Sequence, residues 1–130
     1  METALDLAGL RILVTGANSG VGRGVAEALA LRGPRVEMLC RNEERGRRAQ
    51  EEIHRVSGRE NTWLTLCDLG DMDSVRRAAD EILARGECVD LLVNNAGLLS
   101  RSHRLSPQGH EWTLAVNHLG PFLLTQLLLP

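Results

Sequence analysis

The chain has no tyrosine and no lysine among its 130 residues, and Trp63, Trp112 and Phe122 are its only aromatics. It therefore carries no phenolic proton donor and no ammonium group to lower a phenol's pKa. With hydrophobic residues at 43%, a core is expected, and it must be built from Leu, Val, Ile and Ala. Neither charge dominates: 15 arginines stand against 17 acids, for a net charge of -2, which gives no electrostatic case for binding nucleic acid. Cys40, Cys67 and Cys88 have no CxxC or zinc spacing. They are expected to be small buried residues in a reducing compartment. His54, His103, His110 and His118 form no ligand set, so no metal site is expected. The apolar stretch from Phe122 to Leu129 is interrupted by Gln126 and falls short of the roughly 20 residues of a membrane span. The opening Met1-Glu2-Thr3 is acidic and does not read as a signal peptide, so a cytoplasmic setting is expected. No linker, repeat or low-complexity segment divides the chain, which reads as one domain or part of one.

What is present is an alternation of apolar runs and amphipathic stretches. Strands are expected at Arg11–Val14, Arg35–Cys40, Thr62–Cys67 and Val89–Asn94. Helices are expected from about Val21 to Leu31, Glu43 to Val56, Asp71 to Ala84 and Glu111 to Leu129. Helix-length connections favour parallel pairing with right-handed crossovers, an α/β doubly wound sheet. Arg45, Arg47 and Arg48 sit among Glu43, Glu44, Glu51 and Glu52 and read as a solvated helix face with i,i+4 pairs. Two features resist the pattern. Glu37 falls inside the second strand, where burying an acid is costly, so it is expected at the sheet's rim or against a partner. Gly120-Pro121 falls inside the last helix and is expected to kink it beside Asn117.

The segment Thr15-Gly16-Ala17-Asn18-Ser19-Gly20-Val21-Gly22 follows the apolar run Leu10–Val14 directly. A strand, a glycine-rich turn and a helix in this order suit a dinucleotide pyrophosphate, which must approach the backbone closely and meet free N–H groups. Gly16 would allow the tight turn, Gly20 the approach, and Gly22 the packing of helix on sheet. Asn18 and Ser19 could hydrogen-bond within the turn or to phosphate. A tight strand–helix turn that binds nothing has the same glycines.

With Asn94-Asn95-Ala96-Gly97, Asp68-Leu69 and Val116-Asn117-His118-Leu119-Gly120-Pro121-Phe122 in the same order, the chain resembles the short-chain dehydrogenases/reductases over about residues 10 to 129. Cys40-Arg41-Asn42 and the Asn117–Phe122 segment look most like the branch containing retinol dehydrogenases and related NADP-linked reductases. The resemblance implies a Rossmann-like sheet of strand order 3-2-1-4. It implies that Asp68 accepts from the adenine amino group, although an aspartate capping the third helix is the alternative. Asn95, Ala96 and Gly97 would line the cofactor cleft and tie the sheet's centre to helix four. Asn117 would bend its helix and hold a water in a proton relay, or else be an amide bonded within a packed helix. Arg41 stands where an acid would bind a ribose 2′-hydroxyl; a guanidinium there suits a 2′-phosphate, so NADP is expected over NAD. Arg41 could equally be an exposed side chain at a strand end.

The family's Ser and Tyr-x-x-x-Lys lie on a fifth strand and helix, and the sequence ends at Pro130 before either. Only Asn117 of the catalytic tetrad is present. The chain is thus expected to be the N-terminal, dinucleotide-binding part of a single domain, inactive alone in carbonyl/alcohol oxidoreduction. A non-catalytic regulatory isoform that binds NADP, or pairs with a full-length relative as a homo- or heterodimer through the last helix, is the alternative. The fourth strand would be left as an apolar edge, making the isolated chain marginal, aggregation-prone or held by a partner.

Overall fold

The computed structural model describes residues 5–130. Four parallel strands, β1 (Arg11–Thr15), β2 (Arg35–Cys40), β3 (Thr62–Leu66) and β4 (Leu91–Val93), form one sheet of order β3-β2-β1-β4. Helices α1 (Gly20–Leu31), α2 (Glu43–Ser57) and α3 (Met72–Ala84) make the crossovers. The expected doubly wound order is therefore the observed one. Among the described residues no helix is long and apolar enough to cross a membrane.

Period-two alternation divides the core between the two faces of the sheet. Ile12, Val14, Val36 and Met38 pack with Ala26, Ala30, Ala49 and Ile53 of α1 and α2. Leu13 and Leu39 face the other way, onto Val75, Ala78, Ile82 and Leu124. β1 is buried at every position, as a central parallel strand should be.

Glu37 corrects the expectation of a rim position. It shares the parity of Leu39, points under α3 and is 3% exposed. Its Oε2 accepts from Arg11 Nε (3.1 Å) and Nη2 (2.7 Å), and its Oε1 accepts from Thr65 Oγ1 (2.7 Å) and from Arg85. Arg11, itself buried, also donates to the carbonyls of Ile82 (3.0 Å) and Glu87 (2.7 Å). The acid is tolerated because both of its oxygens meet charged or hydroxyl donors. One cluster thereby joins β1, β2, β3 and the end of α3.

The last helix also departs from expectation. It comprises α4 (Trp112–Leu114), a π-helical segment (Ala115–Leu119) and α5 (Gly120–Leu128). Pro121 has no N–H to give to the Asn117 carbonyl, and Gly120 N–H reaches back to Ala115 instead. The widened turn lays Gly120 against Leu69, where a Cβ would overlap the Leu69 carbonyl oxygen. Trp112 covers Gly70 in the same way, and the Arg104 guanidinium lies 4.1 Å from the Trp112 ring centre.

The arginine-rich face of α2 is paired as expected at two positions, Arg47 with Glu43 and Arg48 with Glu44. Arg45 makes neither pair. Cys40 and Cys67 are buried, whereas Cys88 is exposed because the α3–β4 connection runs on the surface. Burial, followed by the nearby Asp68 charge, pushes the Cys67 thiol up to about 12. β4 is shorter than expected and Leu91 is 49% exposed, so the fourth strand does present an apolar edge.

Replacing Glu37 by Ala leaves Arg11 buried and unpaired and should lower the unfolding free energy by about 3–5 kcal/mol in urea titration. The Arg11→Met/Glu37→Met double variant should lose less, because no orphaned charge remains. At pH 8, Cys88 should react rapidly with a thiol reagent and Cys40 and Cys67 slowly, checked by the time course of labelling. The raised Cys67 pKa contributes its full stabilisation below the unfolded value near 9; that contribution is lost as pH climbs through about 12.

Candidate dinucleotide-binding cleft

β1 ends at Thr15, whose hydroxyl accepts from the N–H groups of Asn95 and Ala96, both at 3.0 Å. Asn95 Nδ2 donates to the Thr15 carbonyl at 3.0 Å. The ends of β1 and β4 are thus laced together directly beneath the glycine-rich turn. Gly16 turns the chain with φ +64°, and its N–H donates to Leu39 of β2. A Cβ on Gly22 would overlap the Gly16 carbonyl and the Asn95 amide, so only glycine lets α1 approach this closely. Gly20, at φ +55°, faces open space. Ser19, the N-cap of α1, is extended and makes no side-chain cap hydrogen bond, which leaves the first-turn N–H groups of α1 without a side-chain partner.

Beside this turn lies a cleft of about 270 Å³ at the carboxyl ends of the strands. Gly16, Asn18 and Ser19 form one wall and Arg41, Asn42 and Arg45 another. Asp68 and Leu69 follow β3 into it, Ala96, Gly97 and Leu98 follow β4, and Val116 enters from the π-helical segment. Crossovers leave β1 toward β2 on one side, while β4 lies on the other, and ligands of open α/β sheets bind at such a reversal.

Asp68 is not the cap of α3. Asp71 is, accepting from Asp73 N–H at 3.0 Å, and its carboxyl is held below the ordinary value by hydrogen bonding, first to Gln108. Asp68 uses Oδ1 to accept from Gly70 N–H, and its Oδ2 has no hydrogen-bond partner among the described residues. Arg41 has no ion-pair or hydrogen-bond partner among the described residues and is exposed.

Asn117 makes a reciprocal pair with Leu98, accepting from its N–H at 2.8 Å and donating to its carbonyl at 2.7 Å. The amide is therefore bonded across to the segment after β4, not within its own helix. This pair, with Ser100 N–H donating to Thr113 Oγ1, joins the post-β4 segment to the last helix. Asn95 binds back to β1 through Thr15 and is not among the residues lining the cleft. Gly20, Val21 and Gly22 occupy the first turn of α1, with Val21 77% exposed. Of the expected residues the cleft wall brings together Gly16, Asn18, Ser19, Arg41, Asp68, Leu69, Ala96 and Gly97. Arg45 and Val116 were not foreseen there. The clue for Arg45 is the residue four before it: Arg41, where Arg47 and Arg48 each have a glutamate.

These features define the Rossmann-like class of α/β nucleotide-binding folds. The family model for short chain dehydrogenase matches residues 11–130, and the chain belongs to that family. Retinol dehydrogenase 11 of Mus musculus is 42% identical over 125 residues, 96% of this chain and 40% of that protein. The chain thus spans about 40% of the length of this curated relative. An uncharacterised protein from Mycobacterium paratuberculosis superposes with a TM-score of 0.85 at 38% identity, covering 96% of this chain and 43% of that one. A structure from Escherichia coli CFT073, described as a short chain dehydrogenase complexed with NADPH, has a TM-score of 0.80 at 34% identity, covering 96% and 54%.

Gly22→Ala should drive α1 off the turn. The variant is expected to lose at least tenfold in nicotinamide dinucleotide affinity by fluorescence titration, while Gly24→Ala, whose Cβ meets open space, should bind as the parent does.

Proposed function

We propose that the chain is the NADP-binding portion of a carbonyl/alcohol oxidoreductase of this family. The observation that carries the reading is Arg41, without a partner among the described residues in the cleft wall where β2 ends, with no acid between it and Glu43 to bind a 2′-hydroxyl. The residues fit the cofactor: the uncapped first turn of α1 with Asn18 and Ser19 suits a pyrophosphate, and the free Oδ2 of Asp68 suits an adenine amino group. Ala96 and Gly97, lacking bulk, leave room along the wall beside β4. The Asn117 carbonyl, with no N–H from Pro121, can hold a water. When bound, NADP supplies the hydride; the chain's own residues bind and orient it. No phenol or ammonium is available to deliver a proton at an alkoxide, so these 130 residues hold the cofactor without turning over substrate. That the neighbouring structure from Escherichia coli CFT073 is complexed with NADPH supports the cofactor assignment.

A second reading, a non-catalytic module that pairs with another chain, is favoured by the exposed Leu91 on the edge strand, by Phe122 on α5 and by Leu129 just after it, at 59% and 58% exposure.

The chain titrated with NADPH should show saturable enhancement of nucleotide fluorescence. Arg41→Asp should weaken NADPH by about tenfold or more and spare NADH. A folded chain that binds neither nucleotide, or binds both equally well, overturns the assignment. Detectable aldehyde reduction by the chain alone would overturn the non-catalytic part.

A further inference from the structure

We infer that the segment after β4, from Leu98 to His110, is a docking surface for an anionic lipid bilayer, which Leu99 and Leu105 enter while Arg101 and Arg104 pair with headgroup phosphates. This goes beyond the NADP reading and does not depend on it.

The inference begins with two side chains that the fold leaves in water. Leu99 is 84% exposed, the most exposed large apolar side chain among the described residues, and Leu105 is 55% exposed. Arg101, His103 and Arg104 stand between them, all exposed. From Leu91 to His110 the sequence has no aspartate or glutamate. Neither arginine has an ion-pair partner among the described residues, and Arg104 rests on the Trp112 ring instead. The two acids that adjoin the segment are engaged elsewhere. Asp71 accepts from Asp73 N–H and from Gln108, and Glu111 accepts from the N–H groups of Thr113 and Leu114. Exposed leucines interleaved with uncompensated cations match the boundary of a bilayer, where acyl chains lie beneath a layer of negative phosphates. A purely acidic protein surface would answer the arginines and leave the leucines in water.

The segment is also held in shape before it docks. Asn117 clasps Leu98 at one end, Ser100 N–H donates to Thr113 Oγ1 at 3.2 Å, and Trp112 N–H donates to the Arg104 carbonyl at 2.8 Å. Gln108 fastens the far end to α3, accepting from Met72 N–H and donating to Asp71. Docking therefore has little chain left to order. Leu98 lines the cleft and Leu99 follows it, so docking here brings the cleft to the bilayer surface.

The test is flotation of the full chain with vesicles of phosphatidylcholine, alone or with about one-third phosphatidylserine. Flotation separates bound chain from aggregate, which sinks. The parent should float with the phosphatidylserine vesicles at low salt, and less of it as salt is raised. Each cation near an anionic surface is worth about fivefold in partition, so Arg101→Glu should weaken binding by about tenfold or more. Leu99→Ser should weaken it by about fivefold or more. Both side chains are exposed, so the circular dichroism of either variant should match that of the parent. Leu99→Trp should bind at least as well, and its added emission should shift to the blue when vesicles are supplied. Binding that Arg101→Glu and Leu99→Ser leave unchanged belongs to another surface and overturns the proposal. So does equal binding to phosphatidylcholine alone, or no flotation with either vesicle. A parent that ignores vesicles but is retained on immobilised polyglutamate has an acidic protein partner, which also overturns it.

Discussion

The buried pair of Arg11 and Glu37 is the constraint on which the sheet depends. A carboxylate under α3 is acceptable in one register only, the one that brings Arg11 of β1, Thr65 of β3 and Arg85 to its two oxygens. Slipping β2 by one residue would turn Glu37 onto the aliphatic face shared by Ile53 and Ala30, with no donor to meet it. The three strands are thus pinned across the sheet, from the start of β1 through the middle of β2 to Thr65 of β3. That register sets Thr15, Leu39 and Thr65 at matching heights toward the carboxyl ends of the strands. Specificity of register, more than net stability, is what such a buried cluster supplies.

The carboxyl end of the sheet is assembled from short polar side chains. One hydroxyl, that of Thr15, holds two consecutive N–H groups after β4, and one amide, that of Asn117, holds both polar groups of Leu98. Between these clasps the segment from Asn95 to Leu98 is tied on two sides, to β1 and to the last helix. The wall of the cleft is therefore rigidly placed although it has no regular secondary structure.

Strand order, the crossovers and the turn at Gly16–Gly22 were legible in the sequence because period, glycine spacing and apolar runs are local signals. Glu37 was misplaced because its compensation is distant: Arg11 and Arg85 lie 26 and 48 residues away, and no local pattern announces them. Asn117, and not Asn95, makes the side-chain tie between the segment after β4 and the last helix for the same reason, since which backbone an amide reaches is settled by packing. The π-helical segment could be anticipated only as a kink: Pro121 removes a donor, but the choice of a wider turn depends on Gly120 meeting Leu69. Arg45 was read as part of a uniformly paired face, whereas the pairing skips it.

The stacking at the far wall has a consequence for variation within the family. Trp112 occupies the space where any side chain at position 70 would stand, and the last helix lies against Leu69 only because position 120 is bare. Positions 70 and 112 therefore cannot drift independently, and position 120 is bound to the backbone at Leu69. A chain that acquires a side chain at 70 must first shrink the ring at 112, and one that thickens 120 must lift the helix carrying Val116 away from the cleft. The breadth of the ligand site is in this way set by three residues, none of which lines the cleft.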